Sequence, residues 1–105
     1  MVPLARVGGA TRSILDELVS ADAPIWGLEL IKRTGRASGT VYPALQRLER
    51  AGWLVSAWED DDARRGPRRR MYRLTPDGAV QARRLAQARS HGPARLLLPR
   101  PQASA

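Results

Sequence analysis

The stretch SGTVYPALQRLERAGWL, residues 38–54, has the spacing of a helix but carries Pro43 near its start. Proline lacks an amide hydrogen and its ring crowds the carbonyl four residues earlier. It is comfortable only in a first turn, whose amides have no intrahelical partner. If Thr40 is the N-cap, Pro43 falls inside that turn; if Ser38 caps, the crowded position is Gly39, the smallest residue available. Either way a helix is expected over 38–51, starting within Ser38 to Thr40 with a hydroxyl to cap it.

Val41, Ala44, Leu45, Leu48 and Gly52 fall on one side of that helix at the three-and-four spacing of a buried stripe. Gly52 suits the left-handed position that closes a helix. Gly39, Pro43, Gln46, Arg47 and Arg50 point the other way, with Thr40, Tyr42 and Glu49 on the flanks. An outer face of hydroxyl, amide, aromatic and guanidinium groups, free of acids, suits a polyanion. Glycine at 39 lets another backbone come close.

The rest of the chain sets this helix in order. Gly8-Gly9 precedes a first helix over about 10–21 with the stripe Ile14, Leu15, Leu18 and Val19. After Ala23-Pro24, a second helix is expected over about 25–34, ended by Gly35. Past Gly52, WLVSAWE and RMYRLT have the composition of two strands joined across DDDARRGPRRR, whose tip is Gly66-Pro67. Thr75-Pro76-Asp77 opens a last helix as N-cap, first residue and acid against the dipole. That helix is expected to reach about residue 90, where Gly92-Pro93 stops it. The expected division is 10–74 as the nucleic-acid-binding unit, 75–91 as a C-terminal helix and 92–105 as a disordered tail. The order helix-helix-helix-strand-strand-helix, mainly α with a small β-hairpin (α+β), is that of a winged helix-turn-helix domain.

Composition narrows the function. The chain has 105 residues, no cysteine and a formal charge of +8, with Lys32 its lone lysine. That excludes a disulfide scaffold and a cysteine-based metal site. The positive excess attracts nucleic acid or anionic lipid. No apolar run approaches the roughly 18 residues of a membrane span, and the N-terminus lacks a signal peptide's apolar stretch, so a cytoplasmic location is expected. His91 stands alone and no phosphate-binding glycine loop or pair of catalytic carboxylates is present, so neither an enzyme nor a cofactor or metal site is expected. Asp60, Asp61 and Asp62 do not make an EF-hand loop, because position twelve is Met71; they are available to pair with nearby arginines.

Three pieces, WGLELIKRTG (26–35), SGTVYPALQRLERAGWL (38–54) and RGPRRRMYRLTPDG (65–78), together resemble the phenolic acid decarboxylase regulators, the PadR family, in particular its short subfamily. The family's Gly-x-Glu-Leu pattern matches Gly27 to Leu30, its Ser-Gly-Thr-x-Tyr-Pro opening matches Ser38 to Pro43, and its Tyr-x-Leu-Thr and glycine match Tyr72 to Thr75 and Gly78. The resemblance implies a bacterial DNA-binding repressor, usually a dimer on an inverted repeat and sometimes released by a small aromatic or drug-like ligand. It implies homodimerisation through the first and last helices, although Ala79, Val80, Ala82, Leu85 and Ala86 make a thin, alanine-rich stripe.

The expected DNA-binding residues are Ser38, Gly39, Thr40, Tyr42, Pro43, Gln46, Arg47 and Arg50 on the recognition helix, in the major groove. Gln46 suits paired bonds to adenine, and Arg47 suits guanine or a phosphate. Arg64, Arg65, Arg68, Arg69 and Arg70 of the wing, 60–70, are expected on the backbone or in the minor groove, with Arg73 beyond them. Trp26, Trp53 and Trp58 suit core anchors, with Trp26 and Trp58 the candidates for contact to a small-molecule effector. Two other readings fit the same residues: a DNA-architectural or recombination accessory protein, and a winged-helix protein-interaction module.

Overall fold

The computed structural model describes residues 1–4, 7–60 and 66–97, with side chains in the last helix described through residue 88. Four helices, α1 (Gly9–Ser20), α2 (Gly27–Thr34), α3 (Ser38–Arg50) and α4 (Pro76–Leu97), accompany three strands, β1 (Ile25–Trp26), β2 (Leu54–Trp58) and β3 (Arg70–Leu74). The fold is a winged helix in which α1, α2 and α3 pack together and β2 and β3 form the wing's stem. Among the described residues no helix is long and apolar enough to cross a membrane.

The expected stripes meet in one core. Ile14, Leu15 and Leu18 from α1, Leu30 from α2, and Val41, Ala44, Leu45 and Leu48 from α3 are buried together with Trp53, Leu54 and Tyr72. Enclosing a Leu or Ile side chain contributes roughly 1.5–3 kcal/mol, so the four α3 residues fix that helix's rotation about its axis. The face opposite them is thereby fixed as well.

The hairpin expectation is extended by a third strand. Ile25 and Trp26, expected to begin the second helix, pair with Tyr72 and Met71, giving an antiparallel sheet of order β1-β3-β2. Pro24 biases the residue before it towards extended backbone, and the pairing with β3 continues that extended path through Ile25 and Trp26. Ile25 then turns into the core, and α2 starts at Gly27.

In the β2–β3 ladder Leu54 faces Leu74, Ser56 faces Tyr72 and Trp58 faces Arg70. Because successive side chains alternate, those six share the side of the sheet that meets α3. Val55, Ala57, Met71 and Arg73 lie on the other.

Thr75 caps α4 as expected: its hydroxyl accepts from the Gly78 amide (2.9 Å) and donates to the Gly52 carbonyl (2.8 Å). Gly78 is demanded by this junction, since a Cβ there would lie 2.1 Å from the Trp53 carbonyl oxygen. The helix does not end before Gly92-Pro93 but continues to Leu97. A proline inside a helix costs one ladder bond and need not end it. The expectation for the tail beyond 97 lies outside the described residues.

The N-terminal segment is docked on the core. The Val2 amide donates to the Ala51 carbonyl (2.7 Å), and the Trp53 indole N–H donates to the Val2 carbonyl (2.9 Å).

Candidate nucleic-acid interface

The recognition helix begins at Ser38, and its cap is neither Ser38 nor Thr40. Ala37 holds the N-cap position in extended backbone, without a side-chain hydrogen bond. Its carbonyl accepts from the amides of Thr40 and Val41, both at 3.0 Å, which leaves the amides of Ser38 and Gly39 at the front of the turn. Pro43 is thus inside the helix, and the carbonyl its ring would crowd belongs to Gly39. Gly52, at φ 83°, closes the helix from the left-handed region, as expected.

Ser38, Gly39, Thr40, Pro43, Gln46, Arg47 and Arg50 are all exposed, and a Cβ added at Gly39 would meet nothing within 4 Å. The face contains no acid. Arg47 lies on the α1 side, beside Leu4, Gly8, Gly9 and Thr11.

Tyr42 has a second task. It is 39% exposed, yet its ring lies over Gly27 so closely that a Cβ there would be 2.8 Å from Cε1. Gly27 is therefore the contact that lets α2 and α3 cross with Tyr42 between them. In the sequence Gly27 stood out only as the glycine of the Gly-x-Glu-Leu pattern, and its partner was not legible.

The wing arginines divide. Arg64 and Arg65 lie outside the described residues, as do Asp61 and Asp62. Arg68 is exposed beside Trp58 and Pro67. Arg69 reaches across the far side of the sheet to Trp26, its guanidinium carbon 4.2 Å from the ring centroid; its Nε is buried without a hydrogen-bond partner. Arg70 turns to the α3 side, 5.1 Å from the Trp58 ring centroid and 3.8 Å from Glu49 Oε2. Cationic guanidinium over a tryptophan face is favourable, so both tryptophans orient arginines.

Glu49 is a residue the sequence reading left on the flank without a role. Its carboxylate accepts from the Ser56 hydroxyl at 2.5 Å, tying α3 to β2 while it faces Arg70 of β3. Beside it, burial pushes the Tyr72 hydroxyl up from its ordinary pKa, with the Arg70 guanidinium opposing that rise.

Of the three tryptophans, Trp53 is a core anchor, Trp26 is half-buried and Trp58 is 54% exposed. Trp26 lines an open groove of about 450 Å³ with Pro24, Glu29, Arg33, Arg69 and Met71. In that groove Glu29 accepts from Arg33 Nε at 3.0 Å, and this bond holds its carboxyl below the usual range. No cluster of histidine, aspartate and glutamate suited to a metal ion occurs among the described residues.

The family model of the "Transcriptional regulator PadR-like family" matches residues 14–84. No curated protein matches the sequence. Among solved structures, the circadian clock associated protein Pex from Anabaena is similar at 26% identity and a TM-score of 0.64, over 83% of this chain and 80% of that one. A PadR family transcription regulator from hypervirulent Clostridium difficile R20291 matches at 22% identity and 0.65, over 82% and 94%. The PcaV transcriptional regulator from Streptomyces coelicolor, in complex with its natural ligand, matches at 23% and 0.73, over 93% and 66%. The last two likenesses carry the fold alone.

Proposed function

The chain belongs to the PadR-like family of transcriptional regulators, and from that premise we propose that it represses transcription by binding double-stranded DNA, with α3 in the major groove. The wing would lie on the neighbouring backbone or in the minor groove. The observation that carries this reading is the outer face of α3, where every expected contact residue is exposed, Tyr42 while partly packed on Gly27, and no acid intervenes. Gln46 and Arg47 would reach base edges. Arg50, Arg68 and the Tyr42 hydroxyl would hold phosphates, supplying affinity without sequence information. Arg69, tied to Trp26 on the far side of the sheet, would contribute through packing.

The bare helix start then has a reason. Ser38 and Gly39 present free amides and the positive end of the helix dipole to a backbone phosphate, and Gly39 lets that phosphate approach. Gly39→Val tests this. The site is open, and valine is no worse than glycine within a helix, so the melting temperature should hold within a few degrees. DNA affinity should fall roughly tenfold or more, about 1.4 kcal/mol. Undiminished binding by a folded variant would contradict the close approach.

Two chains joined through α1 and α4 would present two α3 helices to an inverted repeat. Val80, 45% exposed on α4, is available for that contact. A small-molecule effector would find aromatic surface at Trp26 and Trp58. A DNA-architectural role would use the same face but bend its site and need an adjacent recombinase. Regulators of this kind act in the cytoplasm, where we place this one.

A further inference from the structure

We propose that Glu49 is a built-in counter-charge that holds Arg70 off the DNA until the wing docks, so that Glu49 tempers DNA affinity through Arg70. This rests on the DNA-binding reading above.

Three observations carry it. Glu49 is the one acid in α3, set on the flank that meets the wing rather than on the outer face. Its carboxylate is held by Ser56 at 2.5 Å, so it stays at the junction between recognition helix and wing. Arg70 faces it at 3.8 Å, with the two side chains 39% and 36% exposed. An ion pair that long and that wet is weakly held, and a phosphate arriving beside α3 can replace the carboxylate.

Arg70 is also steered. The Trp58 ring supports its guanidinium from the wing side, so the arginine that leaves Glu49 has a defined place to stand. Among the described wing arginines, Arg70 alone is paired with an acid from the recognition helix.

Charge bookkeeping gives the signature. A cation that begins neutralised by an internal acid gains little on meeting a phosphate, whereas an uncompensated one releases a counterion from the DNA. Replacing Glu49 with an isosteric amide retains an acceptor for Ser56 and removes the charge. Binding should then tighten on any duplex, because phosphates carry no sequence.

The experiment measures binding of the full chain and of Glu49→Gln, Arg70→Ala and the double variant to two labelled duplexes over a salt series. One duplex comes from upstream of the gene and the other is its scrambled counterpart. Glu49→Gln should bind both duplexes roughly three- to tenfold tighter, with the salt slope steeper by about one. In the double variant the gain and the added slope should vanish, matching Arg70→Ala alone. Weaker binding by Glu49→Gln with the slope unchanged would overturn the proposal and make Glu49 a rivet between α3 and the wing. A gain that survives in the double variant would overturn it too, by showing that the acid acts on something other than Arg70. If the unaltered chain binds neither duplex, the DNA-binding reading itself fails, which separates that failure from this one.

Discussion

The recognition helix and the wing are both rich in arginine, yet the sequence specified the direction of the first far better than that of the second. In α3 four core residues fix the rotation of the helix, so each outer residue inherits a known direction. All five residues assigned to the open face, Gly39, Pro43, Gln46, Arg47 and Arg50, are exposed. In the wing, consecutive arginines alternate between the two sides of a sheet: Arg69 lies on Trp26 and Arg70 on the α3 side with Glu49 and Trp58. A run of like charges says that a surface is basic. Only the pairing register says which of its members can meet a phosphate on a given side.

That contrast can be broken or sharpened by substitution. The largest effects are expected on α3. Gln46→Ala or Arg47→Ala should erase preference at one base position, costing about 1–3 kcal/mol where the contact is bidentate. A binding series over single-base variants of the site reads this out. A loss spread uniformly over all variants would mean that the residue holds phosphate rather than base.

Smaller effects are expected in the wing, and they should divide as the arginines do. Arg68→Ala should weaken all sequences about equally and flatten the salt slope by roughly one. Arg69→Ala should leave the slope unchanged while lowering the melting temperature, because its guanidinium packs on Trp26. Equal slope changes for both variants would mean that the far side of the sheet also meets DNA.

Much of the fold was legible because local rules agreed. The buried stripes of α1 and α3, the left-handed Gly52 and the Thr75 cap each rest on a few neighbouring residues, and each was placed from them. What escaped was short or non-local. A two-residue strand such as Ile25–Trp26 has no measurable period, so it was read as the start of the next helix. The cap of α3 fell on Ala37, although two hydroxyls stood nearby, because backbone geometry rather than side-chain chemistry set the first turn. Gly27 and Gly78 could be seen as glycines, but the Tyr42 ring and the Trp53 carbonyl that require them come from elsewhere in the chain. Glu49, Ser56 and Arg70 meet only once the wing folds against α3.

The most direct test of the account is fluorescence anisotropy of a labelled duplex from upstream of the gene, against its scrambled counterpart, across a salt series. The chain is expected to prefer the upstream duplex by about a thousandfold or more near physiological salt, with the preference persisting as salt rises. Equal and steeply salt-dependent binding to both duplexes would contradict it, leaving a basic surface that holds phosphates without reading bases. Binding to neither would place the same fold among protein-interaction modules.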